Sequence, residues 1–249
     1  MKPYAESCDN NRGPILDIIR PLFAGCTHIL EIGSGTGQHA VYFAGNLPHL
    51  TWHTSDLEGC HDGIRQWLDE AALPNTRGPL LLDVTQSDWT LPTVDAVFSA
   101  NTAHIMHWPM VEGLFDGVGR LLPPGGRFVL YGAFNYGGNF TTESNARFDR
   151  WLKERDPLSG IRDFEAVNAL AEHVGQHANR VHVGVLALTR PHTDGGEALQ
   201  EFDVVEALAG SLQQVLQLQI FVQIDEVLAL RMRHDGPGMG MRLAVAIPR

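Results

Sequence analysis

The sequence predicts an α/β fold: a doubly wound, mostly parallel sheet with helices on both faces. Three observations carry this reading. Strand-length apolar runs alternate with helix-length amphipathic segments from about residue 28 to residue 134. A glycine-rich turn joins the first strand to the first helix of that series, at Ile29-Leu-Glu-Ile-Gly-Ser-Gly-Thr-Gly37. Three successive strands end on an acid, at Glu31, Asp56 and Asp83. Alternation of this kind builds a parallel sheet with right-handed crossovers.

A helix is expected from Pro14, because Ile15, Ile18, Ile19 and Leu22 form one stripe and proline suits an early helical position. Strands then follow at 28–33, 50–55, 79–84, 94–100 and 127–134, separated by helices at 38–47, 58–72 and 109–122. Pro109 opens the last of these helices, and Val111, Leu114, Phe115, Val118 and Leu122 supply its apolar face. Gly125-Gly126 turns the chain into the fifth strand, Arg127-Phe-Val-Leu-Tyr131. Beyond it, Gly137-Gly138 with Thr141 and Thr142 reads as a loop over the cleft mouth, either threonine serving as N-cap. Helices are expected at 143–155 and 162–174, a sixth strand around Val181, Val183 and Val185, a helix at 197–217, and strands at 219–232 and 241–247.

With 249 residues, 44% of them hydrophobic, and no linker-like composition or internal repeat, residues 1–249 read as a single domain. Within it, residues 1–27 form an N-terminal cap and first helix, and 176–249 a divergent C-terminal part. No run of about 18 apolar residues appears, and Lys2 is not followed by an apolar signal segment, so a cytoplasmic protein is expected. Cys8, Cys26 and Cys60 lack any C-x-x-C spacing and read as reduced thiols. The formal charge of −11 argues against nucleic acid as a partner. Arg147, Arg150 and Arg155 are interleaved with Asp149, Glu154 and Asp156, the pattern of a salt-bridged helix surface and not of a phosphate track. A small molecule is the expected partner; the oligomeric state is not legible.

The glycine turn carries the chemistry. Without a Cβ, glycine lets the chain turn sharply and lets a ligand touch the backbone, and the helix start beyond leaves N–H groups unpaired. Dinucleotide-binding turns require G-x-G-x-x-G, but counting from Gly33 the third glycine would fall at Gln38. The pattern is instead E-x-G-x-G-x-G, through Glu31, Gly33, Gly35 and Gly37, with Ser34 inside the turn. Asp56 can accept hydrogen bonds from both hydroxyls of a ribose, a role equally open to a helix-capping aspartate.

This pattern resembles the first motif of the class I S-adenosylmethionine-dependent methyltransferases, which implies a Rossmann-like sheet and S-adenosylmethionine as cofactor. The resemblance further implies that Asp83 faces the adenine amino group and the Val84 N–H the ring. Two segments resemble a narrower group, the methyltransferase-like protein 26 family. They are Ala100-Asn-Thr-Ala-His-Ile-Met-His-Trp108 and Pro3-Tyr-Ala-Glu-Ser-Cys-Asp-Asn-Asn-Arg-Gly-Pro-Ile15, in a likeness that runs from about Tyr4 to Val174 and includes Gly160-Ile-Arg-Asp-Phe-Glu165. That family implies a cofactor-binding methyltransferase fold and no particular acceptor. Past about Gly175 the chain departs from it, through either a lineage-specific extension or a shifted reading frame.

Methyl transfer depends mainly on positioning and a dry site, and a base is required only when the acceptor must lose its proton early. His104 and His107 are the candidate bases, against the plainer reading that they pack beside Trp108 or bond the backbone. Their H-x-x-H spacing could also hold a metal, but no third ligand is evident and none is assigned. Asn101 is a candidate for the cofactor's amino-acid end, and Arg12 for its carboxylate, with Tyr4 beside it. Trp108, Tyr131 and Tyr136 are candidate walls of an apolar acceptor pocket. The leading expectation is a methyltransferase of a small-molecule acceptor. The alternatives are a non-catalytic cofactor-binding regulator and a nicotinamide-dependent oxidoreductase, the latter disfavoured by Gln38 and by the lack of a well-placed Tyr-x-x-x-Lys.

Overall fold

A computed structural model describes residues 2–177, 181–191 and 200–207, all within one compact unit that spans Met1–Gly210. Seven strands form the central sheet: β1 (His28–Ile32), β2 (Thr51–Asp56), β3 (Thr76–Leu81), β4 (Ala96–Ala100), β5 (Arg127–Gly132), β8 (His182–Pro191) and β9 (Gln200–Ala207). Their spatial order is β3-β2-β1-β4-β5-β8-β9. All neighbours are parallel except β8 and β9. Two short strands, β6 (Phe134–Asn135) and β7 (Arg162–Asp163), pair separately. The helices are α1 (Glu6–Leu22), α2 (Gln38–Asn46), α3 (His61–Ala71), α4 (Trp108–Leu121), α5 (Glu143–Arg155) and α6 (Phe164–His177). The doubly wound, mostly parallel architecture read from the sequence is therefore the one observed.

Side chains on a strand alternate between its two faces, and each face here has its own core. Leu30, Ile32, Val97, Phe128 and Leu130 pack with Val111, Leu114, Phe115 and Val118 of α4 and with Val167 and Ala171 of α6. Ile29, Phe98, Val129 and Tyr131 face the other way, onto Ile15 and Ile19 of α1, Phe43 of α2 and Ile64 of α3. Trp52 of β2 is fully buried there, with its ring centroid 5.5 Å from that of Phe43. Burial on both faces accounts for the nearly unbroken apolar runs of the inner strands.

Several boundaries move. Helix α1 begins at Glu6, eight residues before Pro14, and carries Pro14 and Pro21 inside it. The expected helix 58–72 divides into a short 3-10 turn, Glu58–Cys60, and α3. Strand β3 covers 76–81, so Asp83 and Val84 lie on the loop after the strand and not at its last residues. Thr142 is the N-cap of α5, its hydroxyl accepting from the Asn145 N–H at 3.0 Å. Part of the segment read as a helix at 197–217 is strand β9, whose Val204 and Val205 pair with Leu186 and Val185 of β8. Two β-branched valines in a segment that pairs with a neighbouring strand outweigh a weak helical period. The strands expected at 219–232 and 241–247 lie outside the described residues.

The winding reverses between β1 and β4, since β2 and β3 lie on one side of β1 and β4 and β5 on the other. Open sheets of this kind bind ligands at the carboxyl ends of the strands where the order reverses.

Candidate active site

A cleft of about 410 Å³ opens at that point. Its walls are the glycine turn after β1, Asp56 and Leu57 after β2, Leu82–Val84 after β3, Ala100–Thr102 after β4, and Ser7 and Cys8 of α1. The volume falls within the range of small-molecule and cofactor sites.

The turn owes its shape to three glycines in the left-handed region. Gly33 has φ +73°, and a Cβ there would come within 2.5 Å of the Thr102 methyl group; Gly37 has φ +91° and lies against the Ile64 backbone. Gly35 has φ +57°, but a Cβ on it would meet no protein atom within 4 Å. Gly33 and Gly37 thus answer to packing, whereas Gly35 borders open cleft. Its N–H donates to Asp56 Oδ2 at 2.8 Å, and the Leu57 N–H donates to Asp56 Oδ1 at 2.7 Å. Each carboxylate oxygen keeps an acceptor site, as two ribose hydroxyls require. Asp83 borders the same cleft, and hydrogen bonds from the Thr85 N–H and hydroxyl hold its carboxyl below the usual range. It therefore stays an acceptor, the role that an adenine amino group needs.

Glu31 lies beneath the turn and not in the cleft. It is 2% exposed, and its carboxylate accepts from the Ser34 hydroxyl at 2.9 Å and Trp52 Nε1–H at 3.2 Å. Burial pushes its pKa up to about 7 against those two hydrogen bonds. Ser34 is held a second way, its Oγ accepting the Ser55 N–H at 3.2 Å. Glu31 and Ser34 together brace the loop.

Asn101 follows β4 with φ +59°, its N–H on the Tyr131 carbonyl at 2.9 Å, and it borders the cleft. A non-glycine residue with positive φ is uncommon, and asparagine tolerates it best. Arg12 does not reach the cleft. It pairs with Asp9 at 2.6 Å and lies over the Tyr42 ring. Tyr4 is exposed, with its hydroxyl on Asp9.

His104 and His107 both lie apart from the cleft lining. His104 is buried with its ring edge-on to Phe148 of α5, and burial brings its pKa down to about 4. His107 caps the approach to α4 and meets Asp156 at 2.6 Å. That contact is the main reason why the Asp156 carboxyl is held below its usual range. Side chains of consecutive loop residues diverge, so adjacency to the fourth strand did not place either ring at its mouth. The aromatic candidates behave alike: Tyr131 is fully buried, Tyr136 stacks on Phe164, and Trp108 donates to Glu112. Among the described residues, no three potential ligands converge as a metal site would need.

What sequence reasoning missed is His39, which borders the cleft one helical turn past Gly35, and the apolar group Ile105, Met106 and Met110. The signal for His39 was its position, on the turn of helix that a glycine loop presents to a ligand. Cys8 and Cys60 also border the cleft, and burial pushes both thiols up to about 11, so they remain protonated.

A model of the family described as Protein of unknown function (DUF938) matches residues 2–183, well over half of the chain. The chain belongs to the DUF938 family. Solved structures show what fold this DUF938 chain has. It is similar to an O-methyltransferase family protein from Burkholderia thailandensis, with a TM-score of 0.61 and 14% identity over 69% of this chain and 52% of that one. It is similar to the S-adenosylmethionine-dependent methyltransferase SibL in its apo form, with a TM-score of 0.61 and 20% identity over 80% and 54%. Human N-acetylserotonin methyltransferase, solved in complex with SAM, matches with a TM-score of 0.56 and 14% identity over 68% and 47%. The chain spans about half the length of these proteins. At such identities the likeness is one of fold, that of the class I methyltransferases. No helix among the described residues is long and apolar enough to cross a membrane.

Proposed function

We propose that this protein is an S-adenosylmethionine-dependent methyltransferase acting on a small-molecule acceptor, in the cytoplasm and without nucleic acid as a partner. The observation that carries the reading is the union of Gly35 and Asp56: a left-handed glycine facing open cleft, its N–H on a carboxylate that retains acceptor capacity. Kinship with the methyltransferase-like protein 26 family belongs to the same proposal, resting on Ala100–Trp108 and the N-terminal segment.

In this reading Asp56 takes the ribose, Asp83 and the Val84 main chain take the adenine, and Asn101 and the glycine turn take the amino-acid end. Gly33 and Gly37 shape the turn, Glu31 and Ser34 brace it, and Arg12 acts from behind through Asp9 and Tyr42. When bound, the cofactor supplies an electrophilic methyl carbon on a sulfonium. The chain's part is to hold the acceptor in line and exclude water, a task for which Ile105, Met106 and Met110 are suited. Residues 1–27 act as a cap: the Ala5 N–H is held by Gln38 Oε1 at 2.6 Å and the Pro3 carbonyl by Trp67 Nε1–H at 2.7 Å.

Isothermal titration with S-adenosylmethionine, S-adenosylhomocysteine and NAD tests the reading. Binding of both sulfur ligands is expected, with Asp56→Ala weakening it by roughly 100-fold through two charge-assisted hydrogen bonds. Gly35→Val is expected to abolish it, by placing a branched side chain in the cleft. Silence from both sulfur ligands alongside a clear NAD signal would overturn the proposal.

A further inference from the structure

His39 is 6% exposed, yet it borders the cleft. Its ring is stacked on Phe43 with centroids 5.2 Å apart and meets Phe98 of β4 edge-on at 6.4 Å, so it has little freedom to turn. Nε2 lies 2.7 Å from Oδ1 of Asn11, a residue of α1 that is itself 5% exposed. The Asn11 side chain also lies beside the buried Tyr131 hydroxyl of β5. With Asn11 presenting its oxygen, Nε2 of His39 carries the proton and donates it, leaving Nδ1 as a lone pair. Nδ1 makes no hydrogen bond among the described residues.

Position assigns this lone pair to one half of the cleft. Asp56 ends β2 and Asp83 lies on the loop after β3, both on one side of β1. His39 leans on β4 through Phe98, and on β5 through Asn11 and Tyr131, the other side of β1. The ribose and adenine functions of the proposed cofactor site thus lie across the cleft from His39. Ser7 and Cys8 of α1, the helix that carries Asn11, border the same cleft.

We propose that His39, positioned by Asn11, receives the methyl acceptor, and that the acceptor is a neutral hydroxyl compound whose O–H is directed at Nδ1. The inference rests on the methyltransferase reading and adds to it the acceptor class and the residue that takes its proton. On transfer, the acceptor oxygen gains the methyl carbon, the carbon–sulfur electron pair stays on sulfur as a neutral thioether, and the O–H proton passes to Nδ1. The resulting imidazolium keeps its Nε2–H on Asn11 Oδ1 and later yields the proton to water. Burial, reinforced by the Arg12 charge, brings the pKa of His39 down to about 4. So weak a base suffices, because an oxygen that has just gained a methyl group while keeping its proton is far more acidic than any imidazolium. The same weak basicity keeps Nδ1 free of protons at neutral pH.

Nuclear magnetic resonance of the full chain with 15N-labelled histidine, loaded with S-adenosylhomocysteine, tests the proposal with phenol as donor probe and benzoate as anionic control. Comparison with His39→Phe assigns the ring. The expected result is an Nε2–H tautomer that stays neutral from about pH 8 to pH 5, with an Nδ1 resonance that moves on adding phenol and not benzoate. His39→Phe is expected to weaken phenol by about tenfold, the loss of one hydrogen bond, and S-adenosylhomocysteine by much less. Asn11→Asp places a carboxylate on Nε2 and should raise the apparent pKa of His39. An Nδ1–H tautomer, an Nδ1 indifferent to phenol, or equal phenol affinity in His39→Phe would each overturn the inference while leaving the cofactor reading intact. Failure of the wild-type protein to bind S-adenosylhomocysteine would remove the cofactor reading and this inference together.

Discussion

Replacing Glu31 by glutamine isolates the electrostatic cost of the brace beneath the glycine turn. Glu31 ionises near 4.5 in an unfolded chain and at about 7 in the folded protein, where burial opposes the charge. The folded state therefore holds the proton more tightly. The group costs nothing below about pH 4.5; as pH rises through 7 it comes to destabilise the fold, by about 3 kcal/mol once fully ionised. Glutamine removes that pH dependence but keeps an oxygen for Ser34 and Trp52, which donate at 2.9 and 3.2 Å. Its amide N–H groups, buried where Glu31 is 2% exposed, cost about 1–2 kcal/mol at every pH. The variant should accordingly be the less stable protein near pH 4.5 and the more stable near pH 8. Urea unfolding followed by tryptophan fluorescence at a series of pH values would read this, since Trp52 touches the carboxylate. A stability difference that moves by about 3 kcal/mol across the range is expected. One that stays flat with pH would refute the argument, because it would mean that the carboxyl titrates normally in its buried place.

Gly37→Ala should lower stability by about 1–3 kcal/mol in thermal unfolding, because φ is +91° and the new methyl would lie 3.2 Å from the Ile64 Cα. Arg162 donates to the carbonyls of Ala103, Met106 and Leu158, pinning the loop that follows β4. Lysine cannot reproduce that fork, so Arg162→Lys should cost about 1–3 kcal/mol and weaken S-adenosylhomocysteine in calorimetry, through a looser Asn101–Thr102. Thr142→Ala removes the α5 cap and should cost about 1 kcal/mol in urea unfolding, with cofactor affinity unchanged.

Most of the fold, and the half of the candidate site formed by the glycine turn, Asp56 and Asp83, was legible in the sequence, because both follow from local rules. Hydrophobic periodicity located the strands and helices out to about residue 174, and their alternation left one architecture. Glycines at 33, 35 and 37 could be read because a positive φ is a property of single residues, and all three adopt it. Asp56 and Asp83 could be read because the ends of parallel strands gather at one edge of the sheet, where both now border the cleft.

Side-chain direction and the meeting of distant residues were settled only by tertiary packing. Glu31 sits in the same motif as Gly35 but points under the turn, since alternation along β1 sends it to the face of Trp52. His104 and His107 follow the right strand, yet one is drawn into the interface with Phe148 and the other out to Asp156. His39 and Asn11 are separated by 28 positions and by a strand, and nothing in the spacing announces that they touch. Periodicity records which residues are buried; only the three-dimensional arrangement of helices around the sheet decides which buried groups face one another, and which of them face a ligand.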